Sequence, residues 1–250
     1  MDRTLTDRPR KILRLSGADI ESFLQGLVTN DLDAMGDRLL YAALLTPQGK
    51  YIADFFLCRD GDDILLDADA EQCPALVTRL GMYKLRADVT IEVTDLFLHR
   101  GTDAVPADGF ADPRAEGLGW RAYRTTEQAD DTVNWTAVYV EHGVPSAGVE
   151  LSADSYILEN GFERLNGVDF RKGCYVGQEV TARMKHKTEL RKGLAVVAIS
   201  GETAVGTAIT REGRPVGTVF SQANGRALAY LRFDRAGDGM LAETAKIKLL

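Results

Sequence analysis

Cys174 stands between two glycines in Lys172-Gly173-Cys174-Tyr175-Val176-Gly177-Gln178-Glu179, a spacing that permits close backbone approach and unusual backbone angles around a thiol. The thiolate is the reactive form of cysteine. The cations of Arg171 and Lys172, with a helix opening at Gln178, are expected to favour it by lowering the thiol's pKa. Glu179 and Arg183 lie four residues apart on that expected helix and can pair. The plainer reading of a lone cysteine is a buried side chain that only packs. Cys58, within a strand pattern, and Cys73, beside a helix start, are read that way. Three cysteines without a CxxC spacing exclude a disulfide scaffold and a cysteine-only zinc or iron–sulfur cage, and no metal-ligand set is expected. No GxGxxG, P-loop, GxSxG or HExxH occurs, so dinucleotide, nucleotide, esterase and zincin chemistries lose their usual support.

Charge narrows the partners. The 250-residue chain carries a formal net charge of -7, against nonspecific nucleic-acid binding. Between Arg164 and Lys192, however, eight basic residues face three acidic ones, a local excess that attracts anions or is simply a solvated helix face. Few aromatics interleave that stretch, so nucleic acid is not the expected partner. No apolar run approaches the roughly 20 residues of a membrane-spanning helix. The N-terminal residues lack an apolar core and do not read as a secretory signal, so a cytoplasmic location and no membrane contact are expected.

The elements that must position these groups follow from periodicity. Ser16 is read as the cap of a helix with Ile20, Phe23, Leu24 and Leu27 on one face, ending near Gly26, with turn chemistry at Thr29-Asn30-Asp31. Strands at 39–46 and 51–58 flank the turn Pro47-Gln48-Gly49-Lys50, and a further strand is read at 63–68. Pro74 opens a helix to about Leu85, and 88–93 alternates as a half-buried strand does. Residues 101–119, with four glycines and two prolines, read as a loop or junction. Strand-like patterns resume at 120–124 and 133–140, and a helical stripe covers 156–165. After Gly193 short glycine-punctuated β-segments predict a small antiparallel barrel.

The octapeptide 172–179 resembles the KGCYxGQE signature of the YgfZ-type folate-binding proteins, iron–sulfur cluster assembly and repair factors related to the glycine-cleavage T-protein. The likeness runs along the chain. It includes Ser16-Gly17-Ala18-Asp19 through Thr29-Asn30-Asp31, the turn at Thr46-Pro47-Gln48-Gly49-Lys50, Asp112-Pro113-Arg114 with Leu118-Gly119-Trp120-Arg121, and Ala227-Leu228-Ala229-Tyr230-Leu231-Arg232. The resemblance implies an α+β, T-protein (aminomethyltransferase)-like multi-part fold with a central folate cavity and a C-terminal antiparallel β-barrel domain. The segments drawn from it are 1–100 (completed by about 145–185), 101–144, 145–190 with the octapeptide, and 191–250.

The resemblance also implies a cofactor and its contacts. Tetrahydrofolate, polyglutamylated forms included, is the expected cofactor. Glu159, in Leu158-Glu159-Asn160-Gly161, falls where such folds place a pterin-binding carboxylate, an acceptor-only group suited to two parallel hydrogen bonds. Asn30, Lys172, Tyr175, Gln178 and Arg183 are the further expected cofactor contacts, Tyr156 and Phe162 could stack on a pterin, and Cys174 is the expected functional thiol. T-proteins carry an acidic pair after the hairpin, where this chain has Ala53-Asp54, so Asp54 is either a second catalytic candidate beside Cys174 or an ordinary strand residue near the cavity. Lys187-Thr188 replaces a glycine of many relatives at the entry to the barrel. The expected function is support of iron–sulfur cluster assembly or repair in partner enzymes or assembly machinery, without conventional turnover. The alternative is a folate-dependent aminomethyl or one-carbon transferase.

Overall fold

The computed structural model describes residues 8–129, 131–187 and 190–250. The N-terminal reading and that of Thr188 lie outside the described residues, as does the side chain of Lys187. Two compact units form, both discontinuous in sequence, so their bounds cut across the segments drawn from the sequence.

One unit comprises Arg8–Val133 and Glu163–Val180. Its chain runs through β1 (Arg10–Ser16), α1 (Ile20–Gln25), β2 (Leu40–Leu45), β3 (Tyr51–Asp60), β4 (Asp63–Asp69), α2 (Cys73–Lys84) and β5 (Thr90–Val93). The five strands make an antiparallel sheet in the order β2-β3-β4-β1-β5. Leu13, Leu15, Leu44, Phe55, Leu57 and Leu66 pack one face against α1 and α2, through Phe23, Leu24, Leu76 and Leu80. Each such side chain contributes about 1.5–3 kcal/mol on leaving water.

The opposite face is also buried, but its composition is different. Register places Tyr41 beside Phe56, Phe56 beside Asp67, and Asp67 beside Ile12, a row with a phenol and a carboxylate in it. A second sheet, β6 (Phe97–Gly101), β7 (Phe110–Ala111) and β8 (Trp120–Arg124) in the order β6-β8-β7, supplies Arg121 to that face. The Arg121 guanidinium lies 3.9 Å from the Phe56 ring centroid, and that of Arg114 lies 4.8 Å away.

Sequence reading missed β1, because its charged residues break an apolar run. Arg10 pairs with Asp67 at 2.6 Å, and Arg14 with Asp63 at 2.9 Å, so the strand can carry both cations. Ser16 ends β1 and does not cap α1; Asp19 holds that position without a side-chain bond. β6 and β7 were likewise not foreseen, the latter inside the segment read as a loop.

The other unit comprises Asn134–Phe162 and Thr181–Leu250. α3 (Trp135–His142) occupies a segment expected to be a strand. Its Trp, Tyr and Val residues favour strands, but Asn134 caps it by accepting the Ala137 N–H at 3.0 Å, and left-handed Gly143 ends it. The helix expected over 156–165 is only a 3-10 turn at Leu158–Asn160, because Gly161 turns left-handed at φ 78. Helix α4 spans Gln178–Lys187, opening at Gln178 as expected, with its first three residues in the first unit.

β9 (Lys192–Ser200), β10 (Ala208–Arg211), β11 (Arg214–Ala223), β12 (Arg226–Arg232), β13 (Met240–Ala242) and β14 (Ala245–Leu249) form a closed antiparallel barrel. Its order is β10-β11-β12-β9-β14-β13, with β13 returning to β10. Val197, Ile209, Val219, Leu231, Met240 and Ile247 fill it, and α3 packs on β11 and β12.

Candidate functional site

The cysteine-bearing loop belongs to the first unit. Cys174 is exposed, whereas Cys58 and Cys73 are buried. Burial pushes the Cys58 thiol up to about 12 and raises that of Cys73, which suits the packing role read for both. Gly173 is exposed beside Cys174, between buried Lys172 and buried Tyr175. The Lys172 ammonium donates to the carbonyl oxygens of Gln25, Val28 and Asn30 at 2.9, 2.6 and 2.8 Å. An ammonium has three hydrogens, and these bonds account for all of them. Burial lowers the Lys172 pKa to about 8.

Asn30 is equally committed. Its Nδ2 donates to the Tyr41 and Asn166 carbonyls at 2.8 and 2.7 Å, and its Oδ1 accepts the Asp31 N–H. The expected cofactor contacts Lys172 and Asn30 are therefore spent on stitching the 163–180 segment to the chain after α1. Gln178 Nε2 donates to the Gly173 carbonyl at 3.4 Å. A cavity of about 690 Å³ opens beside this seam, with Asn30, Tyr41, Phe110, Asp112, Asn166 and Phe170 among its walls. Its size is that of a small-molecule pocket.

Asp54 lies on β3 in the same unit, buried, and accepts the hydroxyls of Tyr41 at 3.0 Å and of Tyr51. Burial raises both phenols well above their ordinary pKa, with the Asp54 charge adding to the effect, so they act as donors throughout the ordinary pH range. Below Tyr41, Asp67 takes Arg10, Arg121 at 2.9 Å and the Tyr123 hydroxyl at 3.2 Å. Asp112 takes Arg114 in a fork, at 3.0 and 2.7 Å, and Arg121 at 3.4 Å. Burial alone would raise the Asp112 pKa, but Arg114 and then Arg121 outweigh it and hold the carboxyl below its ordinary range.

Glu159 and Arg183 belong to the barrel unit. Arg183 is exposed on α4. Glu159 is 9% exposed; its Oε2 accepts the Tyr230 hydroxyl, and Lys192 Nζ stands 3.7 Å from its Oε1. Burial first, and the bond to Glu159 second, raise the Tyr230 pKa. A Cβ on Gly193 would lie 2.8 Å from the Glu159 carbonyl oxygen, so a glycine is what lets β9 begin against this turn. Next to Glu159, the buried Asn160 Oδ1 has no hydrogen-bond partner among the described residues. Tyr156 is half-buried and Phe162 fully buried.

Comparison with known proteins identifies the lineage. The family described as CAF17, C-terminal beta-barrel domain, matches residues 191–250. The human iron–sulfur cluster assembly factor IBA57 is 30% identical, over 89% of this chain and 75% of its own length. The chain belongs to the IBA57 family. The mouse member is 28% identical over 96% of this chain, and a homologue in Mycosarcoma maydis 32% identical over 73%. The chain spans only 54% of the Mycosarcoma protein's length, against 80% of the mouse one. In fold, the glycine cleavage system aminomethyltransferase T of Bartonella henselae superposes with a TM-score of 0.75 at 13% identity, covering 95% of this chain and 81% of that one.

That superposition and the closed barrel establish the T-protein-like architecture expected from the sequence. The IBA57 relatives compared above are named mitochondrial, which overturns the expectation of a cytoplasmic location. Sequence reading missed Asp67, Arg121 and Tyr123 as a buried polar group. Its signal was present in β4, where Leu65-Leu66-Asp67-Ala68-Asp69 puts two acids into an apolar strand that must find them cations.

Proposed function

We propose that this IBA57-family chain serves iron–sulfur cluster assembly in partner proteins through the Cys174 thiol, with tetrahydrofolate as its organic cofactor, as its octapeptide's likeness to the YgfZ type suggests. The observation that carries the reading is the contrast among the three cysteines: two are buried, and the one in the octapeptide stands exposed on a loop held at both sides. A single thiolate cannot hold a conventional cluster, so the iron–sulfur unit is substrate shared with a partner that supplies the other ligands. Cluster proteins or their assembly machinery are the partners this requires.

The folate reading rests on a smaller set of residues than the sequence suggested. Glu159 Oε1 and Asn160 Oδ1, the latter without a hydrogen-bond partner among the described residues, belong to adjacent buried residues, and as acceptors they suit the amino and amide N–H edge of a pterin. The exposed cations of Arg183 and Arg191 are the groups suited to a polyglutamate tail. When bound, a reduced folate supplies one-carbon or electron chemistry; the chain's own part is to fix the pterin edge. The transferase alternative is not favoured, because Asp54 accepts two phenolic hydroxyls and its neighbour is Ala53.

The test is genetic. Cells lacking the gene are given wild-type, Cys174→Ser or Glu159→Ala copies, and the activity of an iron–sulfur enzyme is measured. Loss of rescue by both variants, each melting near wild type, is the expected result; rescue by Cys174→Ser overturns the thiol's role, and rescue by Glu159→Ala overturns the folate's.

A further inference from the structure

We propose that Lys172 is a positioning residue: it clamps the Cys174 loop onto the carboxyl end of α1, so that the thiol is presented in one fixed place. The proposal rests on the reading of Cys174 as the functional thiol and adds how the chain holds it.

Gln25 is the last residue of α1, and Val28 and Asn30 lie in the turn after it. The Gln25 carbonyl lies at the helix's carboxyl end, where carbonyls lack intrahelical partners, and the Val28 and Asn30 carbonyls lie in the turn beyond; a buried ammonium satisfies all three and is satisfied by them. Asp31, Asp33 and Asp169 act on Lys172 only at a distance, and the Tyr175 ring centroid stands 5.2 Å from Nζ. Among the described residues, the ammonium's hydrogen bonds go to these carbonyls and not to a carboxylate. A lysine kept for an anionic ligand would hold its charge toward solvent; this one is buried with its hydrogens spent.

The far side of the loop is fixed independently. The Val176 N–H donates to the Gly26 carbonyl at 3.3 Å, and left-handed Gly177, at φ 85, packs on the β2–β3 turn. Only Gly173 and Cys174 lie between the buried Lys172 and Tyr175. Three peptide steps span about 11 Å at most, so a tip anchored at both ends has little room to wander. Presentation of this kind suits a thiol that must meet a metal brought by another protein, because the ordering cost is met before the encounter.

Hydrogen exchange resolved by residue, on the full chain, tests the clamp. In the wild type the Val176 amide is expected to be protected. In Lys172→Met, exchange across 173–177 is expected to rise about tenfold to a hundredfold, the loss of charge-assisted bonds, while amides of β3 and β4 stay at wild-type rates. Cys174 alkylation by iodoacetamide should change rate in the same variant, and in-cell rescue of the iron–sulfur enzyme should fall. A merely structural lysine would instead raise exchange throughout the unit. Unchanged loop exchange in Lys172→Met overturns the proposal, as does an unprotected wild-type Val176 amide, which decides the matter even where the variant does not fold. Rescue by Cys174→Ser would defeat the reading of the thiol's function while leaving the clamp to the exchange data.

Discussion

Gly177, in the cysteine-bearing loop, lies so close to Thr46, in the β2–β3 turn, that a methyl on its α-carbon would stand 2.6 Å from the Thr46 carbonyl oxygen. The turn's own Gly49 faces the same segment, and a Cβ on it would stand 2.8 Å from the Val180 Cβ. Two glycines 128 residues apart in sequence thus let the cysteine-bearing segment close on the hairpin turn. Gly177→Ala combines a left-handed backbone with a backbone clash, and should destabilise the protein by about 1 to 3 kcal/mol. Urea unfolding reads it directly, and a wild-type midpoint would show that the junction yields.

Asp54→Ala removes the acceptor of two buried phenolic hydroxyls. The Tyr51 hydroxyl keeps Gln72 Oε1 at 3.0 Å as a second acceptor, so losing the carboxylate should cost about 1 to 3 kcal/mol, a structural penalty independent of any ligand. A variant as stable as the wild type would return Asp54 to the list of groups held for chemistry.

Acid should act through Asp112. Its pKa is depressed in the folded chain, so the unfolded chain binds the proton more tightly, and unfolding takes up a proton once pH falls below about 4. The stability it contributes is fully present above that pH and is lost as pH falls toward the folded value. Denaturant midpoints of wild type and Asp112→Asn, followed from pH 6 to about pH 3, should converge on acidification. Parallel curves would contradict the assignment.

Glu159→Gln keeps the shape of the side chain and removes its charge. Tetrahydrofolate affinity, read by titration calorimetry, should drop about tenfold or more, in line with the loss of a charge-assisted pair of bonds. Undiminished binding would remove Glu159 from the folate site.

The fold was largely legible where one physical rule governed a segment. The hairpin around Pro47-Gln48-Gly49-Lys50, the Pro74 helix and the barrel after Gly193 obey periodicity and turn chemistry, and they form as read. Reading failed where distant partners decide. β1 looks too charged for a strand until Asp67 and Asp63 are seen across from Arg10 and Arg14. The 133–140 segment looks like a strand until the Asn134 cap and the Gly143 stop are weighed above its Trp, Tyr and Val residues. At the site, the octapeptide singled out Cys174, but nothing local showed that Lys172 and Asn30 spend their hydrogens on carbonyls near and far in the chain.

The central claim, that the exposed octapeptide thiol takes part in building clusters in other proteins, is tested most directly by the iron and labile-sulfide content of an iron–sulfur enzyme purified from cells whose only copy of this chain is Cys174→Ser. The account predicts that the enzyme emerges depleted of both while the variant itself accumulates and melts as the wild type does. A fully loaded enzyme from those cells would contradict it.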